Sequence, residues 1–130
     1  MIVLDTHTWL WWLTDDGRLS ARAAALLERD TDVVVPGIVL WELAMLVAKG
    51  RLALDRELLA FLRSGLGWEG VRLQPITPEI AARTATLPPS FHGDPADRLI
   101  VATALELGAP LATRDERITS AAIPGLVTAW

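Results

Sequence analysis

Cysteine is absent from the 130 residues of this chain, and no apolar run is long enough to cross a membrane as a helix. The first absence excludes a disulfide scaffold and thiolate metal sites. The second follows because a membrane helix needs roughly 18 to 20 consecutive apolar residues. No basic region precedes the apolar N-terminal residues, so we expect no signal peptide. A cytoplasmic protein is the simplest interpretation.

Several motifs of familiar enzyme classes are also missing. There is no Gly-x-Gly-x-x-Gly and no Gly-Lys-Ser/Thr segment, so dinucleotide-binding and P-loop interpretations fail. No serine lies in a nucleophile-elbow pattern. The two histidines, His7 and His92, are far apart and form no His-Glu-x-x-His motif. We expect His92 to be a solvated loop residue, although it precedes Asp94 by only two positions.

Lysine is nearly absent, since Lys49 is the only one among twelve basic residues, and the net charge is −4. Such a chain does not attract nucleic acid through its overall charge. If it binds phosphate, it needs a local device, either a metal ion or a few arginines, whose planar guanidinium suits phosphate. The apolar fraction of 52% is high, which indicates that some apolar surface is buried against a partner.

Apolar runs alternate with helical segments along the whole chain. Residues 2–4, 33–35 and 111–112 are apolar without polar alternation, which is typical of parallel strands buried on both faces, and weaker strand signals lie at 71–73 and 126–127. Helices are predicted at 7–13, 20–29, 38–49, 55–63, 77–85, 94–107 and 115–121. This order predicts one α/β domain over residues 1–130, with a parallel sheet of four or five short strands and right-handed crossovers.

Burial within two of these helices can also be predicted. Helical spacing places Trp9 and Trp12 on one face of the first helix, toward the core, and Trp11 on another face, where it is the better candidate for an interface. The helix over 38–49 is so apolar that we expect it to be largely buried.

Four acidic residues lie where the predicted sheet would bring them together. Asp5 directly follows the first strand and Asp115 follows the strand at 111–112. Ligands of open α/β sheets bind beyond the carboxyl ends of the strands. Glu42 lies inside an almost wholly apolar helix, where a buried carboxylate must be neutral, paired, at the wet edge or bound to a metal. Asp97 opens the helix over 94–107.

Structural roles compete with functional ones for some of these acids. Asp94 fits a helix N-cap followed by Pro95 at the first helical position, and we prefer that role for it. Asp97 at the third position favours the helix dipole, and Asp115 can cap the next short helix, yet neither role excludes binding a ligand. Asp5 has the weakest structural explanation, because acids are disfavoured at the end of a buried strand.

Four carboxylates at one edge of a sheet repel each other unless a cation compensates them. Oxygen-only ligands suit Mg²⁺ or Mn²⁺ rather than Zn²⁺. A site of this kind usually acts on phosphate esters by activating water and stabilising the departing oxygen.

The acidic motifs, in their order and spacing, resemble those of the PIN domain, and more closely those of its VapC-type toxin ribonucleases. The matching segments are Asp5-Thr6 after a strand, Glu42 in an apolar helix, the run from Asp94 to Ile100, and Thr113-Arg114-Asp115 after a strand. The likeness covers nearly the whole chain.

This resemblance implies a three-layer α/β/α fold and an endoribonuclease specific for single-stranded or loop RNA. Asp5, Glu42, Asp97 and Asp115 would hold Mg²⁺ or Mn²⁺ as the catalytic residues. The resemblance also implies a homodimer and a cognate antitoxin that occludes the site. Supporting residues would be Thr6, Thr113, Asp94, Arg98 and Glu116, of which Glu116 competes with Asp115 to complete the site.

Other interpretations remain open from the sequence. A receiver-like signalling domain would need an acidic pair near the first strand and a lysine after a late strand, and neither is present. A PIN-like binding module without catalysis and a metal-dependent phosphomonoesterase are the remaining alternatives.

Overall fold

The computed structural model describes residues 1–130, which form five strands and seven helices. The strands are β1 (Ile2–Leu4), β2 (Val33–Pro36), β3 (Val71–Gln74), β4 (Leu111–Ala112) and β5 (Thr128–Ala129). The helices are α1 (Thr6–Leu13), α2 (Ala21–Arg29), α3 (Gly37–Ala48), α4 (Leu58–Leu66), α5 (Pro78–Thr84), α6 (Pro95–Leu107) and α7 (Glu116–Thr119). None of the helices has the length and apolar character that crossing a membrane requires.

All five strands are parallel and follow the order β3-β2-β1-β4-β5. Right-handed crossovers place the helices between β1 and β3 on one face and those after β3 on the other. The predicted three-layer α/β/α fold with a parallel sheet is confirmed. The last strand lies two residues later than predicted, at 128–129, because Leu126 N–H still closes a turn onto the carbonyl of Ile123.

The core is built from the central strands and the helices packed on them. Strands β1, β2 and β4 are entirely buried, which explains their lack of polar alternation. Trp9 is fully buried as predicted, but the prediction that Trp11 faces an interface is wrong. Its indole is buried edge-on against Trp130, with ring centroids 5.9 Å apart, whereas Trp12 is only partly buried.

Helix α3 is less buried than its apolar sequence predicts, since only Val39 and Leu43 are buried and Trp41 is 54% exposed. A helix that is apolar all round carries no signal for which face meets the core. The next helix also differs from expectation: α4 begins at Leu58 rather than residue 55, because Glu57 still has an extended backbone (φ −56°, ψ 137°).

The strand order reverses at β1, because β2 and β3 lie on one side of it and β4 and β5 on the other. Open α/β sheets form a crevice at such a reversal, beyond the carboxyl ends of the strands. Asp5 after β1 and Thr113 after β4 both lie at this point.

Candidate active site

Asp5 connects the first strand, the first helix and the end of β4. Its Oδ1 accepts the backbone N–H of Thr8 at 2.8 Å, so Asp5 is the N-cap of α1. Its Oδ2 accepts the hydroxyl proton of Thr113. Asp5 therefore has the structural role that the sequence did not indicate, because α1 begins one residue earlier than predicted. Each carboxylate oxygen keeps a lone pair for a further ligand.

Glu42 projects from α3 toward the end of β1. Its Oε1 accepts the hydroxyl proton of Thr6, which follows Asp5 in the chain. Burial raises the pKa of Glu42, the Thr6 hydrogen bond opposes that rise, and the nearby Asp94 carboxylate adds to it. The two threonines beside the acids, Thr6 and Thr113, thus orient one carboxylate each.

Helix α6 brings two acids to the same place. Asp94 is its N-cap, with Oδ1 accepting the Asp97 N–H at 3.0 Å, so the preferred structural role is present. Asp97 is only 8% exposed. Its burial, together with the carboxylates of Asp94, Asp115 and Glu42, raises the pKa of Asp97 to about 7, against the opposing charge of Arg117.

Asp115 is the N-cap of α7 and forms a pair with Arg117, a residue that the sequence analysis missed. The Arg117 guanidinium Nη2 lies 3.0 Å from Oδ2 of Asp115 and 3.4 Å from Oδ2 of Asp97. Burial tends to raise the pKa of Asp115, but hydrogen bonds from the Arg117 side chain and backbone outweigh it and lower that pKa. A sequence signal existed: the same Asp-x-Arg spacing pairs Asp16 with Arg18.

His92 also faces this cluster, so the prediction of a solvated loop histidine is wrong. Its Nε2 lies 3.2 Å from Oδ2 of Asp97, without the alignment of a hydrogen bond, and its side chain is 27% exposed. Its Nδ1 accepts the backbone N–H of Asp94 at 3.2 Å. This acceptor role places the ring proton of a neutral His92 on Nε2, the nitrogen nearer to Asp97.

Arg98, expected as a supporting site residue, holds the loop before α6 instead of lining the site. Its guanidinium donates to the carbonyls of Phe91 (3.2 Å), His92 (3.3 Å) and Thr84 (2.9 Å). Arg98 therefore acts on the site only by fixing the backbone that carries His92.

These side chains enclose a cavity of about 60 Å³ that no hydrophobic residue lines. It is lined by Asp5, Thr6, His7, Glu42, Asp94, Asp97, Asp115 and Arg117. All four acids that the sequence singled out thus meet at one place. Of the two competing neighbours, Asp115 lines the cavity and Glu116 does not.

The donor set fits a hard divalent cation, because every potential ligand from the four acids is a carboxylate oxygen. Burial first, and then the neighbouring carboxylates, raise the pKa of Asp97 although Arg117 lowers it. As the side chains stand, however, no three His, Asp or Glu residues are arranged to hold an ion. Their oxygens accept from Thr6, Thr113 and Arg117 instead.

Comparisons with known proteins agree with this geometry. Ribonuclease VapC22 from Mycobacterium tuberculosis is 42% identical over 129 residues, covering 99% of this chain and 98% of that protein. Among solved structures, VapBC2 from Rickettsia felis bound to a DNA fragment from their promoter has the same fold, with a TM-score of 0.74 at 19% identity and coverage of 99% and 98%. FitAcB from Neisseria gonorrhoeae has a TM-score of 0.67 at 26% identity and coverage of 98% and 96%. The sequence profile of the PIN domain matches residues 2–124, and this chain belongs to the PIN-domain family.

Proposed function

We propose that this chain is a metal-dependent endoribonuclease that cleaves single-stranded or loop RNA and acts as the toxin of a toxin–antitoxin pair. The observation that carries the proposal is the meeting of Asp5, Glu42, Asp97 and Asp115 in one polar cavity at the reversal of the sheet. The 42% identity to a protein named as a ribonuclease supports RNA as the substrate.

The four acids would hold Mg²⁺ or Mn²⁺. The bound ion supplies Lewis-acid chemistry, which makes water a stronger nucleophile at neutral pH and offsets charge on the phosphodiester. Thr113 and Thr6 fix the carboxylates of Asp5 and Glu42, so those two acids are oriented before any ligand arrives. Without a cation, the cluster repels the RNA backbone through like charge.

Asp97 and Arg117 adjust the charge of the site. Without a bound cation, burial and the neighbouring carboxylates raise the pKa of Asp97 to about 7, so its negative charge is only partly developed near neutral pH. Arg117 offsets part of the negative charge, because its Nη2 donates to Asp115 and Asp97 and its Nε donates to Asp115.

We further propose that the protein forms a homodimer and binds a cognate antitoxin in the cytoplasm. A cavity of about 270 Å³ beside Glu42 has an apolar wall that includes Met45, Leu46 and the exposed Trp41. Such a wall suits the apolar side of an antitoxin segment, while an arginine of that segment could pair with the acids.

The direct test is incubation of the purified protein with structured and unstructured RNAs, in Mn²⁺, in Mg²⁺ and in EDTA. We expect internal cleavage of unpaired segments that EDTA abolishes and either ion restores. Cleavage undiminished by EDTA would overturn the metal dependence. Hydrolysis of an aryl phosphate without RNA cleavage would instead favour a phosphomonoesterase, and no hydrolysis in any arm would favour a binding module.

The toxin role has its own test in cells. Induced expression should arrest growth, and co-expression of the product of a neighbouring reading frame should restore it. Growth arrest that is unchanged in the Asp5→Asn variant would show that any toxicity has another cause.

A further inference from the structure

A second, larger cavity of about 370 Å³ opens beside the acidic one and shares three of its lining residues, Asp5, Asp115 and His7. Its other walls are cationic or aromatic: Trp11, Arg18 and Arg114. The proposed metal ligands therefore form the boundary between a purely polar cavity and one that presents two guanidinium groups.

The two arginines of this larger cavity differ in whether their guanidinium donors already have a carboxylate acceptor within the chain. Both lie over the ring of Trp11, with Cζ 5.0 Å from its centroid for Arg18 and 5.5 Å for Arg114. Arg18 donates from Nε and Nη2 to the two carboxylate oxygens of Asp16, at 3.0 and 2.8 Å. The exposed Arg114 side chain makes no hydrogen bond or ion pair within the chain. Its guanidinium remains charged, with all five N–H donors free for a ligand.

The burial of Trp11 indicates whether this cavity can bind a base or a phosphate of an RNA strand. Trp11 is 7% exposed and covered by Trp130 and the two arginines, so it offers no face on which a base could stack. A phosphate, in contrast, matches the planar fork of an unpaired guanidinium. The chain's net charge of −4 leaves RNA attraction to such local groups.

We infer that this larger cavity binds a backbone phosphate of single-stranded RNA next to the scissile linkage, with the guanidinium of Arg114 as the contact. The inference rests on the proposed ribonuclease function, which places the scissile phosphate at the shared carboxylates. Because the contact is made to phosphate and not to a base, it fixes the strand's position without selecting its sequence.

Salt-dependent binding measures this contact. A fluorescently labelled single-stranded RNA is titrated with the Asp97→Asn protein in EDTA, from 50 to 400 mM KCl. This variant is cleavage-deficient and carries one fewer of the carboxylates that repel RNA. Adding Arg114→Gln should weaken binding about fivefold near 0.1 M salt and reduce the slope of log K against log salt by about 0.7, the contribution of one phosphate contact on a single strand. Arg114→Lys, which keeps the charge, should recover most of the slope.

Arg63→Gln in the same background is the matched control. Arg63 is exposed on α4, forms no ion pair and lines neither cavity, so this variant removes the same net charge away from the proposed contact. It should change neither the affinity by more than about twofold nor the slope, since a single distant charge acts only through a screened field. Circular dichroism of each variant verifies that it is folded.

Replacing one phosphate at a time by an uncharged methylphosphonate locates the contact. One linkage beside the cleavage position should weaken binding to Asp97→Asn but not to the Asp97→Asn/Arg114→Gln double variant. If Arg114→Gln behaves like Arg63→Gln, or if no RNA binding is measurable, the inference is overturned. Wild-type cleavage is assayed separately. If the wild type cleaves RNA but Arg114→Gln leaves RNA affinity unchanged, only this inference is wrong. If the wild type does not cleave RNA, the proposed function is wrong.

Discussion

The Asp97 carboxyl gives a quantitative test of whether the acids converge. Its folded-state pKa is about 7, against 3.8 ordinarily, because it is buried among other carboxylates. Between these two pH values the folded state holds a proton that the unfolded chain has released. The free energy of unfolding of the metal-free protein should therefore fall as pH rises from about 4 to 7, and level off above 7. The difference between the two pKa values sets a ceiling of about 4 kcal/mol on this loss.

Asp97→Asn removes the charge and keeps the shape of the side chain. In EDTA we expect the variant to become progressively more stable than wild type between pH 5 and 8, by about 1 to 3 kcal/mol, since relaxation and hydration of the acid reduce the ceiling. Urea unfolding at several pH values measures the gap. The metal-induced rise in melting temperature should be lost in the variant, because a ligand stabilises only a native state that binds it.

Asp115→Asn is the matched control, with the opposite sign. The pKa of Asp115 is lowered in the folded state through hydrogen bonds from Arg117, so its charge contributes stability above the ordinary pKa. Its removal should cost up to about 1 kcal/mol, a value limited by the exposure of Arg117.

If Asp97→Asn instead loses a few tenths to about 1 kcal/mol at every pH, Asp97 only favours its helix N-terminus and the reasoning is refuted. If Mn²⁺ still raises the melting temperature of Asp97→Asn, Asp97 is not a metal ligand.

Three further changes test individual contacts. Thr113→Val removes the buried hydroxyl that donates to Asp5 and accepts the Asp115 N–H. We expect a 10- to 100-fold slower RNA cleavage and a loss of about 1 to 3 kcal/mol in the free energy of unfolding, because both groups lose a partner. An unchanged single-turnover rate in the folded variant would contradict the orienting role. Arg98→Met leaves three backbone carbonyls without their donor and should lower the free energy of unfolding in urea by about 1 to 3 kcal/mol. An unaltered unfolding midpoint would show that contacts other than those of Arg98 hold the loop before α6. Gly65→Ala places a methyl group 2.7 Å from Cδ1 of Leu13 and 2.8 Å from Cζ2 of the buried Trp9, and should lower the free energy of unfolding by about 1 to 3 kcal/mol in the same assay. Equal stability would mean that both side chains shift without cost.

The sequence predicts the parallel sheet and the meeting of Asp5 with Asp115 for one physical reason. Parallel strands buried on both faces are visible as unbroken apolar runs, and their carboxyl ends share one edge of the sheet. Asp5 directly follows one such run, and Asp115 lies three residues after the end of another. Positions at strand ends therefore place these acids together without any knowledge of side-chain contacts.

Side-chain directions around that edge are not visible in the sequence. Arg117 turns back onto Asp115 and Asp97, and His92 turns inward because the loop before α6 is held by Arg98. The contacts of Arg117 with Asp97 and of Arg98 with Thr84 join different elements of the chain, so local spacing does not predict them. Helix α3 shows the same limit for packing: an all-apolar helix has no period that distinguishes its buried face from the face carrying Trp41.

The most direct test of the central claim, that the acidic cavity cleaves RNA, is single-turnover cleavage of an end-labelled single-stranded RNA in Mn²⁺ by Asp5→Asn and by Asp55→Asn. Asp5 lines the cavity, whereas Asp55 is exposed and lines none of the cavities described above. The account predicts at least a 100-fold slower cleavage for Asp5→Asn and a wild-type rate for Asp55→Asn, with both proteins folded by circular dichroism. Wild-type cleavage by folded Asp5→Asn would contradict it.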